Sequence, residues 1–137
     1  MKYQLKSTRH AKYLLHAHII FTPKYRKKIF TKEHLELMRE VFSNICKMND
    51  STLEEFEGES NHVHLLITYP PRIALSVLVN SLKGVSSRKL RQKFAIFQEE
   101  YWGKGVALWS RSYFVASVGG APIEILKEYI KSQDSPD

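Results

Sequence analysis

The stretch NHVHLLITYPP, residues 61–71, constrains this chain more than any other. Leu65, Leu66 and Ile67, closed by Pro70 and Pro71, form a short apolar run that stops where no ladder hydrogen bond can continue, so it reads as a strand. Side chains two apart on a strand leave the same face, with Cα atoms about 6.5–7 Å apart. On a helix the same pair points in different directions. His62 and His64 therefore share one face and Val63 takes the other. Two imidazoles so placed can grip one ion. The spacing equally suits two histidines that pack or hydrogen-bond at a sheet surface, and His16-Ala17-His18 repeats it on a second strand candidate.

The remaining pattern organises 137 residues into one domain, 1–137. YLLHAHIIFT (13–22) reads as a strand stopped by Pro23. Thr31 is an N-cap candidate, and Leu35, Leu37, Met38, Val41, Phe42 and Ile45 fit a helix to about Met48. Residues 51–58 form a short strand turned by Gly58, leading into a strand over His62–Tyr69. Leu75, Leu78, Val79, Leu82 and Val85 mark a second helix to about Leu90. FAIFQEEYWGKG gives a helical turn and a loop, then Val106–Trp109 and Tyr113–Val118 give two strands. Gly119-Gly120 turns the chain, and Pro122 opens a last helix to about Gln133. The order βαββαββα predicts an α+β fold, a ferredoxin-like antiparallel sheet with its helices on one face. The uncovered face or an edge strand then calls for a partner, and a dimer is expected.

The balance of 21 Lys and Arg against 14 Asp and Glu, a net charge of +7, points to an anionic partner, nucleic acid foremost. Lys24, Arg26, Lys27 and Lys28 are the densest basic run, and Lys83, Arg88 and Arg91 flank the second helix. These can bind phosphates, while Tyr25 and Tyr113 can stack on unpaired bases. The single cysteine, Cys46, excludes an internal disulfide and a Cys-rich zinc site, and its helical spacing places it in the core. The opening MKYQLKSTRH has no apolar signal region, and no apolar run approaches the roughly 20 residues of a membrane span. A cytoplasmic protein with no membrane partner is expected, associated with the nucleoid when bound to DNA.

A metal held by His62 and His64 needs further ligands. With one cysteine in the chain, these must be Asp, Glu, Gln, Asn, another His or water. KEYIKSQ puts Tyr129 and Gln133 four apart on a helix, along one margin of a stripe formed by Ile123, Leu126 and Ile130. An amide oxygen is a reasonable ligand, and a phenol beside a metal is a candidate nucleophile. The same two residues also fit the half-exposed border of an ordinary amphipathic helix.

HIIFTPKYRKKIF (18–30), NHVHLLI, SLKGVSSRKLR, LWSRSYFVASVGG and EYIKSQ, in that order, resemble the TnpA-type transposases of the single-tyrosine HUH superfamily, the transposase IS200-like family of small bacterial and archaeal insertion sequences. The resemblance runs from about residue 13 to Gln133. It implies that His62, His64 and Gln133 are metal ligands, that Tyr129 is the catalytic tyrosine, and that the ion is Mg²⁺ with Mn²⁺ as substitute. Ligand type alone would suggest Mn²⁺ or Zn²⁺. Asn61 stands where many members have Asp, and His18 falls on a family histidine whereas His16 has no counterpart. The resemblance further implies cleavage and rejoining of single-stranded DNA at element ends marked by hairpins, through a 5′-phosphotyrosine, by a homodimer.

Two rivals remain at this level. One is a related HUH endonuclease acting on dispersed hairpin repeats. The other is a non-catalytic, ferredoxin-like nucleic-acid-binding protein, which would work without metal and tolerate loss of Tyr129.

Overall fold

Helix α1, Lys32–Met48, forms where the apolar spacing requires it, and it buries Met38, Val41, Phe42, Ile45 and Cys46 along one stripe. The structure is a computed structural model that describes residues 6–101, 107–117 and 130–132. Before α1 come strands β1 (Lys6–Ser7), β2 (Lys12–Tyr13) and β3 (His16–Phe21), and a 3₁₀ turn at Lys24–Arg26. After it follow β4 (Thr52–Glu59), β5 (His62–Thr68), α2 (Leu75–Lys93), α3 (Ala95–Glu100) and β6 (Phe114–Ser117). No helix among the described residues is long and apolar enough to cross a membrane.

The main sheet has the order β4-β5-β3-β6 and every pairing in it is antiparallel. β5 lies between β3 and β4, the two strands that α1 connects, which is the split βαβ of a ferredoxin-like fold. On β3, Ala17, Ile19 and Phe21 join the core, and on β5 Val63, Leu65 and Ile67 do the same. Leu78, Val79, Leu82 and Leu90 of α2 meet them there. Burying each such aliphatic or aromatic side chain contributes about 1.5–3 kcal/mol. Cys46 is fully buried, and burial raises its thiol to about 12. The α+β antiparallel architecture anticipated from the sequence is the one observed.

Four boundaries differ from expectation. The anticipated strand over 13–22 is split: Tyr13 pairs with Lys6 in a small β1–β2 hairpin, and β3 begins only at His16. Gly58 is not the turn. It lies inside β4 opposite Val63, and the reversal falls at Ser60 and Asn61. A Cβ at Gly58 would sit 2.5 Å from Leu35 Cδ2, so any larger residue here would make the end of the Leu35 side chain move aside. Leu108 and Trp109 form only an isolated bridge between Trp109 and Pro23 rather than a strand. Their apolar character serves the core instead: Trp109 packs against Phe21 and Phe30, with ring centroids 5.6 and 5.4 Å away, and its indole N–H donates to Ser86 Oγ at 2.9 Å. Finally, α2 continues to Lys93, past the expected end near Leu90. Of the anticipated last helix, residues 130–132 are helical and the rest, like Val118, lies outside the described residues.

His34 shows why α1 starts where it does. Its Nδ1 accepts the Thr31 backbone N–H at 3.0 Å, the role Glu or Gln plays in a capping box, and its ring meets Phe94 and Phe97 edge-on. Burial holds its pKa below the ordinary value of about 6.5. The folded state thus binds fewer protons than the unfolded one, so this stability is full above about pH 6.5 and lost as pH falls below it. Thermal melts at pH 5 and pH 7.5 are expected to show a smaller gap for His34→Gln, which keeps an acceptor for Thr31 but does not titrate. An equal gap would place the acid sensitivity elsewhere.

Candidate metal and nucleic-acid site

The alternation that sends odd-numbered residues of β3 and β5 to the helices sends His16, His18, Ile20, His62, His64, Leu66 and Thr68 to the opposite face. His64 lies directly across from Ile20, and His18 lies across from Leu66, so the two histidines are diagonal neighbours. Their rings stack with centroids 5.0 Å apart at 20°, and His18 Nδ1 is 2.8 Å from His64 Nε2. His16 belongs to a different network. Thr68 Oγ1 donates to Glu54 Oε1 at 2.9 Å and accepts from His16 Nδ1 at 2.7 Å. The members of the His16/His18 pair thus enter different networks, and the His18–His64 contact joins one member of each His-x-His pair.

Each histidine of the expected ligand pair has one nitrogen fixed by a neighbour. His62 Nδ1 is 2.9 Å from Asn61 Oδ1, and an amide oxygen only accepts, so Nδ1 carries the proton and Nε2 keeps its lone pair. A partner on the far nitrogen is how metal-binding imidazoles are commonly oriented. Burial lowers the pKa of both His62 and His64. Next in size for His64 is repulsion from His18, while Glu57 and Glu55 pull it upward, as Glu59 does for His62. The two imidazoles are therefore held in the neutral, ligand-competent form. Glu57 and Glu59 stand directly across from His64 and His62 on β4. Among the described residues no group of three or more His, Cys, Asp or Glu is arranged to hold a metal. The donor set in hand is two imidazoles, which fits an ion completed by water, phosphate oxygens or a side chain outside the described residues.

His62 and His64 open into a cleft that runs around the β4 edge to Lys32, Leu35, Glu36 and Arg39 of α1. Ile130 and Lys131 line the same cleft. Tyr129 and Gln133, the expected nucleophile and third ligand, lie outside the described residues.

The basic residues expected to meet DNA divide into two groups. Lys83 Nζ donates to the carbonyls of Ser110 and Arg111 at 2.7 and 3.2 Å, and burial lowers its pKa. Arg91 Nη1 donates to Tyr101 O at 2.8 Å, Lys27 pairs with Glu100 at 2.9 Å, and Arg26 Nη1 donates to Ile130 O and Lys131 O. These four tie elements of the fold together. Lys24 lies 5.7 Å from the centroid of the exposed Tyr25 ring, and Arg88 is exposed on α2. Tyr113 packs edge-on against Phe21 beneath Lys83. Tyr25 and Arg26 both adopt left-handed backbone, with φ of 64° and 51°. Two non-glycine residues in that region cost about 1–3 kcal/mol each, and they persist only where neighbours fix the turn. Here Lys24 N–H donates to Leu108 O, Arg26 N–H to Pro23 O and Tyr101 Oη–H to Lys24 O.

Sequence reasoning noted His18 and Asn61 without giving either a role, and passed over Glu57 and Glu59. The signal for the glutamates was present in LEEFEGES, whose acidic residues at 55, 57 and 59 repeat with the strand period.

Residues 11–133 match the family model described as Transposase IS200 like. The transposase for insertion sequence element IS200 of Salmonella typhimurium LT2 is 31% identical over 132 residues, covering 96% of this chain and 85% of that protein. ISDra2 transposase TnpA of Deinococcus radiodurans is 29% identical over 130 residues, covering 95% and 91%. A crystal structure of a protein assigned as a transposase from Deinococcus radiodurans R1 superposes with a TM-score of 0.86 at 28% identity, over 96% of this chain and 99% of that one. The REP-associated tyrosine transposase bound to a REP hairpin has a TM-score of 0.52 at 10% identity, over 91% and 68%, and shares the fold alone.

Proposed function

We propose that this chain, which belongs to the IS200-like transposase family, cleaves and rejoins single-stranded DNA at insertion-sequence ends through a 5′-phosphotyrosine on Tyr129. The observation that carries the reading is the shared cleft: His62 and His64 face it, and the residue after Tyr129 in the chain lines it.

The Tyr129 phenol oxygen attacks a backbone phosphorus in line with its bond to the 3′ oxygen. A phosphorus–tyrosine oxygen bond forms, the bond to the 3′ oxygen breaks, and the phenol proton leaves as the 3′ oxygen gains one. A 3′-OH then attacks the phosphotyrosine, the phenolate leaves, and the strand is resealed. Bond energy is conserved through the covalent link, so no nucleotide cofactor enters. His62, His64 and Gln133 would hold a divalent ion, Mg²⁺ or in its place Mn²⁺. When bound, such an ion neutralises charge on the scissile phosphate. Asn61 orients His62, and His18 packs on His64.

The recognised DNA is read as a hairpin at the element end. A protein of the same fold has been seen bound to a REP hairpin, and the +7 net charge supports an anionic partner. Handling two strand ends together calls for two active sites, hence a homodimer. The test is a labelled single-stranded DNA spanning an element end, mixed with the protein in Mg²⁺ and run on a denaturing gel. A covalent adduct that needs the metal is expected. Tight binding with no adduct on several hairpin-bearing strands would favour the non-catalytic binder.

A further inference from the structure

We propose that Arg26 is a positioning residue that clamps the segment carrying the nucleophile against the body of the domain. The inference rests on the assignment of Tyr129 as that nucleophile. Arg26 Nη1 lies 3.1 Å from Ile130 O and 2.9 Å from Lys131 O, so one guanidinium nitrogen donates to two successive carbonyls more than 100 residues away. Those carbonyls belong to the first and second residues after Tyr129 in the chain. Ile130 and Lys131 line the cleft that His62 and His64 face.

The turn that presents Arg26 is rigid. Pro23 has its φ at −66° and bridges to Trp109, while Lys24 is held at both ends of its peptide, its N–H donating to Leu108 O and its carbonyl accepting from Tyr101. Tyr25 and Arg26 then take left-handed backbone, which most L residues avoid. Strain of this kind survives where the surroundings over-determine it, and its structural product here is the aim of one guanidinium. Trp109 and Tyr101 are themselves buried, so the anchor belongs to the core rather than to a surface loop. In-line attack tolerates little error in the position of the nucleophile, which gives such a clamp its purpose.

The competing role for Arg26 is an ordinary phosphate contact, and the two roles separate cleanly. Arg26→Ala and Arg26→Lys are compared with wild type in three measurements on the full chain. The first is the single-turnover cleavage rate at saturating single-stranded DNA. The second is the salt dependence of DNA affinity. The third is amide hydrogen exchange of a peptide covering residues 130–132, with a β5 peptide as internal control. A clamp predicts a fall in the saturating rate of about tenfold to a hundredfold for Arg26→Ala, with the salt slope unchanged. It also predicts faster exchange at 130–132 alone and partial recovery in Arg26→Lys, whose single ammonium can serve one carbonyl. A phosphate contact predicts an unchanged saturating rate and a salt slope reduced by about one, and that result overturns the proposal. Unchanged exchange at 130–132 overturns it too. If the alanine variant fails to fold, Arg26→Lys carries the same comparison. If the wild type forms no adduct at Tyr129, the nucleophile assignment fails, and the exchange measurement still decides whether Arg26 holds the segment.

Discussion

Tyr129→Phe is expected to lose the covalent DNA adduct and strand cleavage together, by on the order of 10⁴-fold or more, while still binding the strand. The substitution removes one oxygen and leaves the ring, so the loss reports the nucleophile. Water is a poor substitute for a positioned phenol, and residual cleavage should give no covalent product. Binding survives because affinity for single strands comes from phosphate contacts and base stacking, for which the half-buried Lys24 and the exposed Tyr25 and Arg88 are the candidates. The measurement is the denaturing gel with mass spectrometry of the adduct peptide. An adduct surviving at the wild-type rate in Tyr129→Phe would sink the assignment and send the search to another hydroxyl, with the peptide mass naming it.

The fold was legible wherever a strand or helix period coincided with burial. α1 could be placed from Thr31 to Met48 because its apolar residues line one stripe and its start is capped. β5 was legible because prolines close it and its alternate side chains enter the core. The failures share one cause: local apolarity does not say which neighbour consumes it. Trp109 is as apolar as a strand residue, yet it fills the space between Phe21, Phe30 and Ser86. Gly58 carries the ordinary signature of a turn, but what it provides is clearance for Leu35 within a strand, a fact of tertiary approach.

The site divides along the same line. That His62 and His64 share a face follows from the strand period alone. How the two His-x-His pairs sit relative to each other does not, because it depends on register: β3 and β5 pair so that His18 falls diagonal to His64 while His16 falls opposite Thr68. The basic residues were legible as charge but not as function. Lys83 and Arg91 spend their donors on backbone carbonyls, a choice set by where α2 meets residues 101 and 110–111.

That register sets up the second large effect. His64→Ala is expected to remove most of the affinity for Mn²⁺, because one of two imidazoles facing the cleft is lost, and cleavage should fall with it by about 10³-fold. His18→Ala keeps both imidazoles that face the cleft but frees the His64 ring from the stacked contact at 5.0 Å and the 2.8 Å hydrogen bond. Partners that orient a ligand are typically worth about 10–100-fold in metal affinity, and a loss of that size is expected. Because His18 acts through His64, the losses should not add: in the His64→Ala background, removing His18 should change Mn²⁺ affinity little. His16→Ala supplies the comparison, since it disrupts the Thr68–Glu54 network on the same strand without touching His64. It should lower the melting temperature and spare the metal affinity. Isothermal titration with Mn²⁺ on the four variants, in the absence of DNA, separates these cases without any turnover. Should His18→Ala bind Mn²⁺ as tightly as the wild type, the contact between the two rings is packing alone, and His64 is oriented by the sheet.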